Sequence, residues 1–293
     1  MSELTINGAV LEKIRRLPML RDDDAPRPEF LLWENPRTRL SCYYAPFEYL
    51  NTQARLILVG ITPGGTQMNR ALNAARAALA GGTPIETAVR RVKREGSFSG
   101  SMRPNIVATL NRLAYNRSLD ISCSSSLWST HDHLVQFCSL LKFPVFVDGK
   151  DYNGKPAPTK DDDLKRMLNE HFVKDMQALP HNAMLVPLGD TVLETVLALK
   201  KQGGIPQELM TFEGRPVAPP HPSGANAESI ALLLEERYPT QAEYAERMYR
   251  EYLIRAPWKK KASGKPQPEA KYKAARDSRW QAMLHVRRAY GLQ

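Results

Sequence analysis

The sequence predicts an α/β protein in which helices flank a parallel sheet. Short apolar runs, Gly/Pro turns and helix-favouring segments follow one another four times along the chain, as strands and helices alternate in this class. The first run, residues 56–59, contains no polar residue and is typical of a strand buried on both faces. The 293 residues are 42% hydrophobic, which suits one large domain with extensions or two small domains.

Residues 1–50 are expected to form an N-terminal extension packed on the core. A helical apolar pattern covers 10–17, and two aromatic-rich stretches follow at 30–33 and 42–49. We interpret most of these aromatic side chains as packing against the edge of the sheet. Stacking on nucleic-acid bases is the alternative.

The segment 54–67 predicts a strand, a tight turn at 62–65 and the start of a helix that continues over 69–79. Such a turn lies at the carboxyl end of its strand, where open α/β sheets bind ligands. Its two glycines allow close backbone approach, and the free amides at the helix start suit an anion. The turn lacks the Gly-Lys-Ser/Thr ending of a nucleotide phosphate loop and the spacing of a dinucleotide-binding loop.

Two further helices are expected at 84–95 and 104–115, joined by a Gly/Ser loop. The first of them carries Arg90, Arg91, Lys93 and Arg94 opposite its apolar face. The loop holds one aromatic residue, Phe98. We interpret the loop as a connector; the alternative is a cover for an active site, in which Phe98 would stack on an extruded base.

The rest of the chain supplies the remaining strands and helices of the predicted fold. In chain order these are a strand and its exit at 134–147, a polar connection at 148–163, a helix to 179, a strand at 183–189, a helix at 192–201, a strand within 215–224, a helix at 226–234, a helix at 240–254, a linker at 257–268 and a helix at 277–290. Right-handed crossovers would bring all four strand ends to one rim of the sheet.

Composition and charge exclude several functional classes. No apolar run approaches 18 residues and the N-terminus has no signal pattern, so we expect a cytoplasmic protein without a membrane partner. The three cysteines are far apart in the sequence, which indicates reduced thiols. They are also too few for a four-cysteine metal site. The triplet His131-Asp132-His133 has no further His or Cys nearby, so no metal is expected.

The net charge of +10 is concentrated near the C-terminus. Residues 255–293 contain eleven Lys or Arg residues and two acidic residues, a charge of +9, and the first 254 residues carry only about +1. A basic segment of this kind favours contact with a phosphate backbone. The alternative is a merely solubilising tail.

Three short motifs resemble the uracil-DNA glycosylase superfamily. Gly60-Ile61-Thr62-Pro63-Gly64, after the first strand, is similar to its first motif. His221-Pro222-Ser223-Gly224 matches its second motif, and Cys138-Ser139-Leu140-Leu141-Lys142 looks like a strand end that several branches share. The resemblance covers roughly residues 55–234. It implies a three-layer α-β-α fold with a central four-stranded parallel sheet at 51–254, between the extension 1–50 and a basic C-terminal extension, 255–293.

The resemblance also implies a chemistry, in which a nucleotide leaves the stack and its N-glycosidic bond is hydrolysed. His221 would donate a hydrogen bond to the departing base, and Thr62 would position the attacking water. The base pocket would contain Gly60, Ile61, Pro63, Gly64, Gln67, Phe98 and Ser139. DNA contacts would come from Ser223, Gly224, Asn226 and Lys142. The basic charge near the C-terminus, and not the resemblance, adds Lys259, Lys260 and Lys261 as expected DNA contacts. No cofactor and no metal are implied; the expected partner is DNA and the expected state a monomer.

Two residues depart from the family's pattern. The polar residue of the first motif is usually Asp, Asn or Glu, and here it is Thr62, which is no useful base at neutral pH. The residue aligned with the base-reading Asn is Ser139, which is smaller. We therefore expect a pocket that accepts a base larger than uracil: a modified or damaged pyrimidine, such as a hypermodified cytosine of phage DNA.

Three other functions stay open at this point. The first is an ordinary uracil or mismatch glycosylase. The second is a catalytically silent DNA-binding member of the fold, which Thr62 favours. The third is an unrelated α/β hydrolase or nucleotide-processing enzyme, although the chain lacks a Gly-x-Ser-x-Gly elbow.

Overall fold

The computed structural model describes residues 8–208, 217–234, 240–255 and 269–292. The strands are β1 (Leu31–Asn35), β2 (Leu40–Tyr43), β3 (Leu56–Gly60), β4 (Val135–Ser139), β5 (Val145–Val147), β6 (Lys150–Asp151) and β7 (Met184–Pro187). The helices are α1 (Gly8–Arg15), α2 (Gly65–Ala80), α3 (Ile85–Gly96), α4 (Met102–Arg112), α5 (Tyr115–Ser118), α6 (Asp162–Met167), α7 (Lys174–Ala178), α8 (Asp190–Lys201), α9 (Ala227–Leu234), α10 (Gln241–Arg255) and α11 (Glu269–Ala289). A π-helical turn, Leu168–Val173, joins α6 to α7.

The predicted α/β class is confirmed, with a parallel sheet at its centre. Its strand order is β4-β3-β7, and β3 pairs in parallel with both neighbours. All five residues of β3 are buried. Ile57 and Val59 pack into one apolar cluster with α6 and α8, whereas Leu56 and Leu58 pack into another with α4, α9 and α11. The continuous apolar run is thus explained by burial on both faces.

The predicted fourth parallel strand is absent from the described residues. Residues 209–216 lie outside them, and from 217 to 221 the chain joins no ladder. One backbone hydrogen bond, from the Gly189 amide to the Pro219 carbonyl at 3.0 Å, links this segment to the loop after β7. Pro219, Pro220 and Pro222 have no amide hydrogen to donate to a ladder. The described residues therefore show three parallel strands of the expected four.

A second sheet, which the sequence did not predict, contains four strands in the order β1-β2-β5-β6, all antiparallel. It pairs β2, from the expected N-terminal extension, with β5, from the middle of the chain. A two-residue turn joins β5 to β6, with positive φ at both Asp148 and Gly149. Asp-Gly is a strong signal for such a hairpin, but the sequence reading treated it as part of a polar connection.

The C-terminal helices pack against the core. Helix α11 contacts α9 and α10, and Glu228 of α9 accepts hydrogen bonds from Tyr244 of α10 and from Arg276 and Arg279 of α11. The helices expected at 240–254 and 277–290 are confirmed, although α11 begins eight residues earlier than expected. The expected linker at 257–268 lies outside the described residues. Within those residues, we find no helix with both the length and the apolar character needed to span a bilayer.

Candidate functional site

A cleft of about 910 Å³ opens at the carboxyl ends of β3 and β7. Ligands of parallel α/β sheets bind at this edge. Its walls are the loop after β3, the segment 151–153 after the β5–β6 hairpin, the loop after β7, the segment 217–226 and α11. Of the predicted site residues it contains Gly60, Ile61, Thr62, Gly64, Gln67, Phe98, His221, Ser223 and Asn226. Folding therefore brings the first and the second motif into one cavity.

His221 lies in the cleft with its Nδ1 nitrogen bound by its own loop. The Ser223 amide donates to His221 Nδ1 at 3.3 Å, and Ser223 Oγ lies 3.1 Å from the same nitrogen. Because an amide can only donate, Nδ1 must be the acceptor and Nε2 carries the proton in the neutral ring. Burial lowers the pKa of His221 below its ordinary value of 6.5, which favours that neutral form at neutral pH.

Gly189 allows this close placement of His221. A Cβ atom at Gly189 would lie 3.0 Å from the His221 Cβ, tighter than an ordinary contact. Its backbone, with φ 94° and ψ 162°, is in a region that is essentially restricted to glycine. Gly189 lies two residues after the end of β7 and directly before α8, so the loop at the sheet edge positions the histidine.

The loop after His221 is organised by its own hydrogen bonds. Asn226 Nδ2 donates to Ser223 Oγ at 3.3 Å, and Asn105 Nδ2 of α4 donates to the Pro222 carbonyl at 2.8 Å. Gly224 is exposed and no atom lies within 4 Å of the position its Cβ would take. The loop tip is therefore open, as a DNA-facing residue requires, while Ser223 and Asn226 also hold the histidine loop together.

Thr62 is engaged by the protein itself. Its hydroxyl donates to the Phe143 carbonyl at 2.9 Å and accepts from the Val145 amide at 3.2 Å. A hydroxyl has a single proton, so Thr62 in this arrangement has none to donate to a water. Thr62 ties the loop after β3 to the start of β5.

The start of α2 is occupied by a carboxylate from the protein. The Gly65 amide donates to Asp151 Oδ1 at 2.9 Å. A Cβ atom at Gly64 would lie only 2.5 Å from Asp151 Oδ2. The expectation of free amides awaiting an external anion is therefore wrong for Gly65, because Asp151 of β6 is already bound there. Gly64 is required for this close approach.

Gln67 and Phe98 form the inner end of the cleft. The Phe98 amide donates to Gln67 Oε1 at 2.8 Å, in a backbone with a φ of +50° that is unusual for phenylalanine. The Phe98 ring is buried against Phe137, and a Cβ atom at Gly60 would lie 2.9 Å from it. Gln67 thus fixes the loop that carries Phe98.

Behind Phe98 lies a narrow polar pocket that contains Pro63 and Ser139. Its volume is about 10 Å³, roughly the room for one water. Lys93, Lys142 and Asp175 line this pocket together with Ser139. In this conformation, the extra room expected from the small Ser139 is not present. A bulky group has space in the large cleft instead.

Two of the lysines in this pocket are not where the sequence reading expected them. Lys142 Nζ lies 2.8 Å from Asp175, with only 12% of its side chain exposed, so in this conformation it does not present its charge to a DNA backbone. Lys93 was assigned to the basic face of its helix, but it is buried and donates to the Phe47 carbonyl at 2.8 Å. Burial lowers the pKa of Lys93, and the nearby charge of Lys142 lowers it further.

Helix α11 forms one wall of the cleft, and its basic residues are largely engaged. Arg276 and Arg279 pair with Glu228, and Lys273 pairs with Glu246 and Glu269. Lys259, Lys260 and Lys261 lie outside the described residues. The part of the expected basic extension that the structure describes therefore packs on the core.

The described residues contain no cluster of three His, Cys, Asp or Glu side chains suited to a metal ion. Within the triplet at 131–133, Asp132 pairs with Arg90 and Arg94.

Comparison with known proteins identifies a relative. The chain is 34% identical over 226 residues to the uncharacterized protein YoxB of Bacillus subtilis (strain 168), a match that covers 75% of this chain and 84% of that protein. The chain belongs to the YoxB family. No family model and no solved structure matches it.

Sequence reasoning missed three contributions to the cleft of this YoxB-family member. Asp151 was missed because the Asp-Gly hairpin signal was not used. Gly189 was noted as a turn, but its approach to His221 depends on tertiary structure. The α11 wall, which includes Arg279 and His285, could not be foreseen because helix periodicity does not tell where a terminal helix docks.

Proposed function

We propose that this protein is a monofunctional DNA glycosylase that excises a modified or damaged pyrimidine and leaves an abasic site. The proposal includes the finer features of the resemblance, a glycosylase-like three-layer architecture and a cytoplasmic monomer that binds DNA. A bulky hypermodified cytosine of phage DNA is the specific substrate class, and antiphage defence is the corresponding role.

The observation that carries the proposal is the state of His221. When an N-glycosidic bond breaks, the departing base takes negative charge and the sugar becomes oxocarbenium-like. A donor held in a desolvated site stabilises that charge as it develops. Neutral His221, with Nδ1 occupied by Ser223 and the proton on Nε2, has the form that such a donor needs.

The dimensions of the two cavities support a bulky substrate. The cleft is near the upper end of the roughly 300–1,000 Å³ range of small-molecule sites, whereas the pocket behind Phe98 holds about one water. A base with a large substituent therefore has room in the cleft. A compact pocket around Ser139, as an ordinary uracil glycosylase would use, has no such support.

A catalytically silent DNA-binding protein is the second candidate, and Thr62 favours it. The Thr62 hydroxyl is engaged by Phe143 and Val145, and the loop after β3 contains no acidic residue. A silent member would bind DNA and produce no abasic sites.

The test is a panel of DNA substrates assayed for alkali-labile breaks. The panel contains uracil in single and double strands, uracil and thymine mismatches, and phage DNA with hydroxymethylated or glucosylated cytosine. The proposal predicts breaks in the modified-cytosine DNA, lost in His221→Ala. DNA binding without breaks on any substrate would favour the silent alternative, and breaks confined to uracil would refute the bulky-base assignment.

A further inference from the structure

We propose that Asp151 is the carboxylate that activates the attacking water, in place of the acid missing from the loop after β3. This inference rests on the proposed glycosylase function and deepens it. Asp151 belongs to β6, outside all three motifs that resemble the glycosylase superfamily. A catalytic residue would thus reach the cleft from the second, antiparallel sheet.

Asp151 has one oxygen bound and one free. Oδ1 accepts from the Gly65 amide at 2.9 Å, which fixes the side chain against the start of α2. Oδ2 has no hydrogen-bond partner among the described residues. It lies so close to Gly64 that a Cβ atom on Gly64 would be only 2.5 Å from it. The carboxylate therefore lies directly beside the loop that carries Thr62, in the cleft that contains His221.

The hairpin explains why Asp151 takes this position. Its register places Asp151 opposite Phe146 across a two-residue turn. The next residue, Tyr152, is buried in the core, and its hydroxyl donates to the Pro156 carbonyl. Asp151 itself is exposed and lines the cleft together with Tyr152 and Asn153.

The other carboxylate that lines the cleft, among the described residues, is Asp190. It follows Gly189, which touches His221, so it belongs to the wall that carries the base-stabilising group. Asp151 belongs to the wall formed by Gly64 and Thr62. Water must attack the sugar on the face away from the departing base, so the proposal assigns water activation to the wall with Asp151 and base stabilisation to the wall with His221.

The proposed step conserves atoms and charge. The bond between C1′ and the base nitrogen breaks, and its electron pair leaves with the base, whose developing charge accepts the hydrogen bond from His221 Nε2. The water oxygen forms a new bond to C1′, and one water proton passes to Asp151 Oδ2. The base anion then takes a proton from solvent and Asp151 returns its proton to solvent. No oxidant, metal or cofactor takes part.

Asp151→Asn is the decisive variant. Asparagine keeps an oxygen that accepts from the Gly65 amide, so the cap on α2 is preserved, but its amide cannot take up a proton. The matched control is Asp148→Asn, the same change at an exposed carboxylate in the turn of the same hairpin, which pairs with Arg39 and does not line the cleft. Unfolding in urea and binding to a duplex with a tetrahydrofuran abasic analogue are measured for both, to show that structure and DNA binding persist.

The readout is the single-turnover rate of abasic-site formation in glucosylated hydroxymethylcytosine DNA. We expect Asp151→Asn to slow this rate about 100-fold or more, the usual contribution of a general base, while Asp148→Asn stays close to the wild-type rate. Added formate should restore part of the rate of Asp151→Ala, because it supplies a carboxylate in the vacated space, and should not accelerate the wild-type protein.

The two levels of the proposal fail in different ways. A wild-type protein that forms abasic sites, with Asp151→Asn equally fast, would overturn the role of Asp151 alone. Loss of rate in Asp190→Asn but not in Asp151→Asn would overturn it too, and transfer the role to Asp190. A wild-type protein that forms no abasic sites on any DNA of the panel would overturn the glycosylase function and this inference together.

Discussion

Replacing Gly189 by alanine should both destabilise the protein and displace His221. The alanine Cβ would lie 3.0 Å from the His221 Cβ, whereas ordinary contacts are 3.4–4 Å. His221 must therefore retreat by at least about 0.4 Å, and misplacement of a catalytic group by ~1 Å can cost ~100-fold in rate. The glycine-only backbone adds strain of about 1–3 kcal/mol.

The matched control for this change is Gly203→Ala. Gly203 also has a positive φ, 71°, but no atom lies within 4 Å of its Cβ position. Gly203→Ala should therefore lower the unfolding free energy by only about 1–2 kcal/mol, through backbone strain alone. Urea unfolding gives the free-energy change of each variant, and proton NMR of the His221 ring reports its environment. We expect a shifted His221 signal in Gly189→Ala and an unchanged one in Gly203→Ala. Equal stability losses and an unmoved His221 signal would refute the reasoning.

Three further predictions concern ionisable groups. Glu228→Gln should destabilise the packing of α11 by about 2 kcal/mol, because an amide cannot neutralise the two arginines that pair with Glu228. Amide hydrogen exchange should then be faster across α11, and an unchanged exchange rate would contradict the prediction. Lys142→Met should lower the unfolding free energy by about 2–3 kcal/mol, because it leaves Asp175 poorly solvated and unpaired. In urea unfolding, the double variant with Asp175→Leu should recover part of that loss, and additive losses would contradict the prediction. Burial lowers the pKa of His221 in the folded protein, so as the pH falls the unfolded chain takes up a proton first, near pH 6.5. The unfolding free energy therefore decreases as the pH falls from about 6.5 to the pKa of His221 in the folded state. His221→Gln should flatten this pH dependence, and a variant with the same pH profile as the wild type would contradict the prediction.

The sequence predicted well the features that depend on neighbouring residues. The strand β3 was recognisable because burial on both faces selects an unbroken apolar run. The two motif loops were placed at one sheet edge because parallel strands share the direction of their carboxyl ends. His221 and Thr62 do line one cavity, although the described segment before His221 joins no ladder and the histidine lies against Gly189 instead.

The features that depend on distant residues were predicted poorly. The pocket beside Ser139 is narrow, and Lys93 is one of the residues that line it. The helical pattern had placed Lys93 on a basic face, although its amine is buried against a carbonyl 46 residues away. The hydroxyl of Thr62 is used by Phe143 and Val145, about eighty residues further along the chain. Periodicity does not encode such partners. The sequence therefore identified a site, but not the availability of its groups.

The measurement that tests the central claim most directly is mass spectrometry of the small molecules released from phage DNA with glucosylated hydroxymethylcytosine. It is made with the wild-type protein and with His221→Gln, which keeps a polar side chain but loses the imidazole donor. The account predicts release of the free modified base by the wild-type protein, with an equal number of abasic sites in the DNA, and a strongly reduced release by His221→Gln. Equal release by both proteins would contradict the role of His221, and no release by either, with DNA still bound, would contradict the glycosylase function.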